Sequence, residues 1–171
     1  MLLITCSEIK ESMLKFKVSF SLPMAVTVLS LGILAAQPAL ADTFQFTWKG
    51  NAGYSAKGSF SYDNATSNTI ITNANLESLK VTFFDPNHKL LKAYVLVKDG
   101  VDTGVDPYLT FSFNPATKSL VGDLDIGEGR QIGSTDYYLH GTIDSILEFR
   151  NLDTNVLDSN SGVITVKKED E

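Results

Sequence analysis

Two histidines, 20 carboxylates and six tyrosines are the side chains of this 171-residue chain that invite a chemical reading. His88 and His140 are the only imidazoles for general-base or metal work. His88 lies in an Asp85-Pro86-Asn87-His88 turn, where a solvated polar residue is expected. His140 falls between Tyr138 and Thr142 on the polar side of an alternating run. A Ser134, His140, Asp144 set can be drawn, but a nucleophilic triad is defined by geometry, and neighbours along one strand do not meet that way. Glycoside hydrolysis would need two acids facing one cleft, roughly 5–10 Å apart. Glu77, Glu128 and Glu148 are isolated, while Asp63, Asp85, Asp99, Asp102, Asp106, Asp153 and Asp158 fall in turns. There they read as solvated caps on backbone amides.

Two acidic stretches, Asp99 to Asp106 and Asp123 to Glu128, raise a calcium question. The second has Glu128 where an EF-hand loop needs glycine, so only a looser loop site stays open. Gly127, Gly129 and Gly133 imitate a phosphate loop, but the third glycine of a dinucleotide fingerprint is displaced by Ile132 and no helix follows. Hydrolase, zincin, nucleotide and paired-cysteine signatures are absent from the sequence. No catalytic residue, metal ligand or cofactor is therefore assigned. Among Trp48, Tyr54, Tyr108, Tyr137 and Tyr138, which could offer flat faces to sugar rings, Trp48 continues the apolar face of Phe44 and Phe46 and reads as core. Tyr54, beside Gly53, and Tyr138, on a polar face, are the candidate ligand-binding residues.

The elements that must position these groups read as strands throughout. Phe44, Phe46 and Trp48 alternate with polar residues. So do Ala56, Gly58, Phe60 and Tyr62, then Leu79, Val81 and Phe83. Leu91, Ala93, Val95 and Val97 are expected inward, as are Leu109, Phe111 and Phe113, then Leu120, Leu124 and Ile126. The run from Tyr137 to Phe149 keeps its odd positions apolar, and Ile164 and Val166 close the pattern. A period of two buries one face of each strand and wets the other, as antiparallel sheets do. Asp85-Pro86, Asp99-Gly100 and Asn114-Pro115 supply turns between them. No long window has helical periodicity, no repeat or low-complexity linker occurs, and one domain is the simplest reading. The expected fold is an all-β, single antiparallel β-sandwich of jelly-roll-like type, with an up-and-down β-barrel as the alternative.

Residues 42–171 are expected to form that domain. Lys15 and Lys17, the apolar run Val18 to Ala36 and the Ala39-Leu40-Ala41 ending make residues 13–41 a secretory signal peptide, cleaved after Ala41. Met13 is the more natural start, so residues 1–12 read as a gene-start extension. The strictly apolar part, Met24 to Ala36, is short of the roughly 20 residues a membrane span needs. Cleavage would remove the lone Cys6 and leave 11 basic and 18 acidic groups. A secreted or periplasmic chain without disulfides must rest on its core, and this length suffices. Net acidity without a basic cluster argues against nucleic acid and against an anionic membrane surface.

The segments Phe44-Gln-Phe46-Thr-Trp48-Lys-Gly50, Ala56-Lys-Gly58-Ser-Phe60-Ser-Tyr62-Asp63, Leu76 to Pro86 and Phe111 to Thr117 resemble the secreted all-β proteins common in cyanobacteria, many of which carry a PEP-CTERM sorting tail. The resemblance covers about residues 43–125 and implies export and association with extracellular polysaccharide; it brings no catalytic residues. The sequence ends in Lys167-Lys168-Glu169-Asp170-Glu171 without a Val-Pro-Glu-Pro element or terminal apolar span, so a mature chain without a membrane anchor is expected. These readings together point to an exported, non-catalytic binding or matrix-associated protein of polysaccharide. The alternatives are a small glycoside hydrolase or lyase on a sandwich, and a barrel carrying an apolar ligand.

Overall fold

Alternating side chains need a second apolar layer to bury against, and the chain provides it by folding into two facing sets of strands. The computed structural model describes residues 41–63, 69–128, 136–153 and 155–169. All of them lie within one compact unit, Gln37–Glu171. The extension at 1–12, the signal segment up to residue 40 and most of the glycine-rich 127–133 loop fall outside the described residues.

The first layer is a six-stranded antiparallel sheet built from β1 (Asp42–Lys49), β2 (Ser55–Tyr62), β4 (Leu76–Phe84), β5 (Leu90–Lys98), β6 (Val101–Asp102) and β13 (Ile164–Lys168). Its order is β13-β1-β2-β4-β5-β6, so the last strand pairs beside the first. The second layer holds a four-stranded meander, β12-β11-β10-β9, made of β9 (Asp123–Gly127), β10 (Tyr137–Thr142), β11 (Ile146–Asn151) and β12 (Val156–Asn160). A small sheet of β3 (Ile71–Thr72), β7 (Ser112–Asn114) and β8 (Ser119–Leu120) continues it. Thr110 and Asp125 exchange backbone hydrogen bonds at 2.9 Å and so tie the β7 strand line to β9.

The sheets are open, not closed on themselves, which corrects the barrel alternative: the fold is an all-β antiparallel sandwich. Its interior is filled. Phe44 packs on Phe113, Phe60 on Phe111, and Trp48 and Phe83 on Phe149, joining both layers in one aromatic core. Each such ring removes a large apolar area from water and gains offset or edge-on ring contacts, the main stabilisation available without disulfides. A barrel-borne apolar ligand loses its premise with the barrel.

The inward faces follow the alternation at β1, β2, β4, β9, β10 and β11. Strand β5 departs from it. Tyr94 and Leu96 are buried while Ala93 and Val95 face out, and Leu96 and Val97 are buried side by side. The register against β4 shifts between Leu79 and Lys80, and the extra residue of that bulge moves Ala93, Tyr94 and Val95 to the faces opposite those expected; a second shift between Phe83 and Phe84 follows, and Leu91 packs against the core. The Tyr137 to Phe149 run is a hairpin, turned at Ile143–Ser145, with its odd positions inward in both arms. Residues 73–75 form a single 3-10 turn ahead of β4. No helix among the described residues is long and apolar enough to cross a membrane.

Candidate functional site

Because the odd positions of β10 enter the core, its even positions Tyr138, His140 and Thr142 line up on the outer face of the second layer. Antiparallel register sets partners beside them: Gly127, Asp125 and Asp123 on β9, and Arg150, Glu148 and Ile146 on β11. The result is a grid of outward side chains rich in polar groups. His140 Nδ1 lies 3.1 Å from Asp125 Oδ2, and the Thr142 hydroxyl donates to Asp123 Oδ1 at 2.7 Å. Arg150 Nε donates to Glu148 Oε2 at 2.9 Å, with Nη2 on the same oxygen. Glu148 raises the Arg150 pKa, first through this hydrogen bond, and the Tyr138 hydroxyl adds to the effect. Guanidinium, carboxylate and phenol are thereby held as one planar-ended unit.

A segment distant in sequence completes the site. After β6 the chain brings Asp106 and Tyr108 over the β9 and β10 ends. Asp106 is 4% exposed, and its two oxygens accept from the backbone amides of Tyr108 (2.9 Å) and Gly127 (3.0 Å). Burial pushes its carboxyl up to about 6, opposed by those two amides and helped by the charge of Asp125. Asp125 is raised as well, chiefly by burial, with His140 pulling it back down. Gly127 is required at this joint: at φ +149 a Cβ would run into the backbone of Tyr137 and Tyr138.

Asp106, Tyr108, Asp125, Tyr138, His140, Arg150 and Leu152 enclose a cleft of about 320 Å³. Leu152 is nearly buried beneath it, while Tyr108 is 67% exposed at the rim. A site with an apolar floor, two phenol rings and fixed polar groups offers both ring faces and paired donors and acceptors.

Of the two tyrosines favoured from sequence, Tyr138 lines this cleft. Tyr54 does not: its ring packs 5.3 Å from that of Phe149, on the core side of β11, and helps close the sandwich edge. Tyr137 stacks on the same Phe149, and Trp48 is fully buried. Tyr108, placed no higher than the other tyrosines by sequence, is the ring that joins Tyr138. The reading of turn acids as solvated fails at Asp106 and Asp158, both buried. Asp158 accepts from the amides of Ala52, Tyr54 and Ser159. His140 finds its carboxylate across the ladder in Asp125, not along the chain in Asp144; Ser134 lies outside the described residues. Among the described residues no three metal-binding groups converge. In the two stretches raised for calcium, Asp102 caps Gly104, Asp123 holds Thr142 and Asp125 holds His140.

Comparison with protein-family models, curated proteins and solved structures finds no match to this chain.

Proposed function

We propose that this is an exported, non-catalytic carbohydrate-binding protein associated with extracellular polysaccharide, and that the Tyr108–Tyr138 cleft is its binding site. One observation carries the reading: two tyrosines from separate segments line one cleft together with the nearly buried Leu152, beside the pre-oriented Asp125–His140 and Glu148–Arg150 pairs. A sugar ring has an apolar face of C–H groups and a rim of hydroxyls that both donate and accept. Phenol rings suit the first, and carboxylate, imidazole and guanidinium suit the second. Groups already locked to one another lose little freedom on binding, which favours affinity.

Hydrolysis is the second reading, favoured by Asp106 and Asp125 lining the same cleft with raised pKa values. Asp106 would have to be the proton donor, yet both its oxygens are engaged by backbone amides that fix its loop. Binding therefore accounts for its geometry better than proton transfer to a glycosidic oxygen, which needs an acid in hydrogen-bond reach of the leaving group.

Pull-down on insoluble cell-surface polysaccharides, together with a glycan array, tests the proposal. The expected result is capture by at least one neutral glycan, lost in Tyr138→Ala. Blank arrays and empty pellets overturn it, and release of new reducing ends from a captured glycan would favour hydrolysis instead.

A further inference from the structure

The cleft does not end at the Asp125–His140 pair. On the other side of that pair a second cavity, about 370 Å³, is lined by Thr110, Asp123, Asp125, His140 and Thr142. The two hollows share Asp125 and His140 and no other side chains, so this pair stands as a divider between two adjoining subsites. Alternate residues of β10 set the axis. From Tyr138 through His140 to Thr142 the strand advances about 14 Å at about 3.4 Å per residue, longer than a single pyranose ring. Each end differs in chemistry. The Tyr138 end offers rings and an apolar floor, whereas the Thr142 end offers two hydroxyls, Thr110 and Thr142, beside the Asp123 carboxylate.

The charges are not balanced along this axis. Asp106, Asp123 and Asp125 line the two hollows, and against them stand only Arg150, whose guanidinium is paired with a fourth acid, Glu148, and His140, which sits on Asp125. An anionic sugar would bring its charge against these carboxylates, and like charges at such range are disfavoured.

We infer, resting on the carbohydrate reading above, that the site takes an extended neutral glycan chain: one sugar on Tyr108 and Tyr138, the next across the Asp125–His140 divider against Asp123, Thr110 and Thr142, with uronate and sulfated chains excluded. Engagement of a second subsite by a linked unit raises affinity without a second loss of translational freedom.

Titration calorimetry with cello-, manno- and xylo-oligosaccharides, from monosaccharide to hexasaccharide, and with oligogalacturonides tests this. In at least one neutral series affinity should rise about tenfold or more between the monosaccharide and the trisaccharide, and the oligogalacturonides should give no heat. Tyr138→Ala should weaken every length, whereas Thr142→Val should chiefly flatten the gain with length; melting curves of both variants establish that they are folded. Equal affinity at all lengths, or preference for the oligogalacturonides, overturns the extended neutral chain and leaves carbohydrate binding standing. Silence of every series, with empty polysaccharide pellets, overturns both.

Discussion

Gly50 and Asp158 approach so closely that a methyl group on Gly50 would overlap the Asp158 carboxyl. The contact joins the turn after β1 to β12, in the opposite layer, and its purpose is visible in the hydrogen bonds. One Asp158 oxygen takes the amides of Ala52 and Ser159 at 2.8 Å, and the other takes the amide of Tyr54 at 3.0 Å. A buried carboxylate here does what water cannot do for three backbone donors.

Asp158→Ala should therefore destabilise the fold by about 3 kcal/mol, since it strands those donors in a 5%-exposed site. Asp158→Asn should cost less, keeping one acceptor oxygen. Gly50→Ala should fall in the same range as Asp158→Ala, because the methyl group can be accommodated only by displacing the carboxylate. Urea unfolding of the three variants measures this; a Gly50→Ala protein as stable as the parent would refute the close approach.

Asp106 gives a pH dependence with a definite sign. Its carboxyl is raised to about 6 in the fold, by burial first, against about 3.9 in an unfolded chain. Between those values the folded state holds the proton and the unfolded state does not. The stabilisation is thus complete below about pH 4 and lost as pH rises through about 6, by on the order of 2–3 kcal/mol. Asp106→Asn should lose the Gly127 hydrogen bond at every pH but flatten this slope, so the difference between the two unfolding curves narrows from pH 4 to pH 7. A constant difference across that range would contradict the raised carboxyl. Asp125, also raised, contributes with the same sign in both proteins.

Tyr94 is a strut between the layers. From β5 its hydroxyl donates to Asp136 Oδ1 and accepts the amide of Tyr137, each at 3.1 Å, where β10 begins. Lys92 reaches the same Asp136 at 2.8 Å. Burial raises the Tyr94 phenol, so it stays protonated at any physiological pH. Tyr94→Phe should cost about 1–3 kcal/mol, since the Tyr137 amide loses its acceptor. Hydrogen exchange should quicken at Tyr137 before it does in the centre of β10; unchanged protection there would count against the strut.

Local alternation made most of the fold legible. Phe44, Phe46, Trp48, Phe60, Leu79, Val81, Phe83, Leu139, Leu147 and Phe149 all lie where a period of two puts them. The pattern fails at Val95 and Tyr94 because a bulge is a property of two strands together, and one strand's sequence holds no mark of its partner's register. The site was legible only in part, for a related reason. Even numbering placed Tyr138 and His140 on the wet face, but pairing His140 with Asp125 requires the β9–β10 ladder, and bringing Tyr108 alongside requires the whole path from β6 to β7. Asp106 and Asp158 resemble ordinary turn acids for the same reason: the amides that bury them come from 21 and more than 100 residues away.

Tyr54, beside Gly53, and Tyr138, on a polar strand face, are equal candidates in the sequence, yet their rings lie on opposite faces of the second layer. Tyr54→Ala would remove a ring packed on Phe149 and should cost about 2–3 kcal/mol of stability. Its effect on glycan affinity should be within twofold, because it does not touch the cleft. Tyr138→Ala would remove a half-exposed ring from the cleft wall and release Arg150 from its phenol. Stability should change by less than about 1 kcal/mol, while affinity for a captured glycan falls by about tenfold, the usual cost of truncating a central aromatic contact. Paired melting and binding measurements on the two variants separate the roles. If Tyr54→Ala abolished binding in a still-folded protein and Tyr138→Ala left it intact, the binding face would have to be moved to the other side of the sheet.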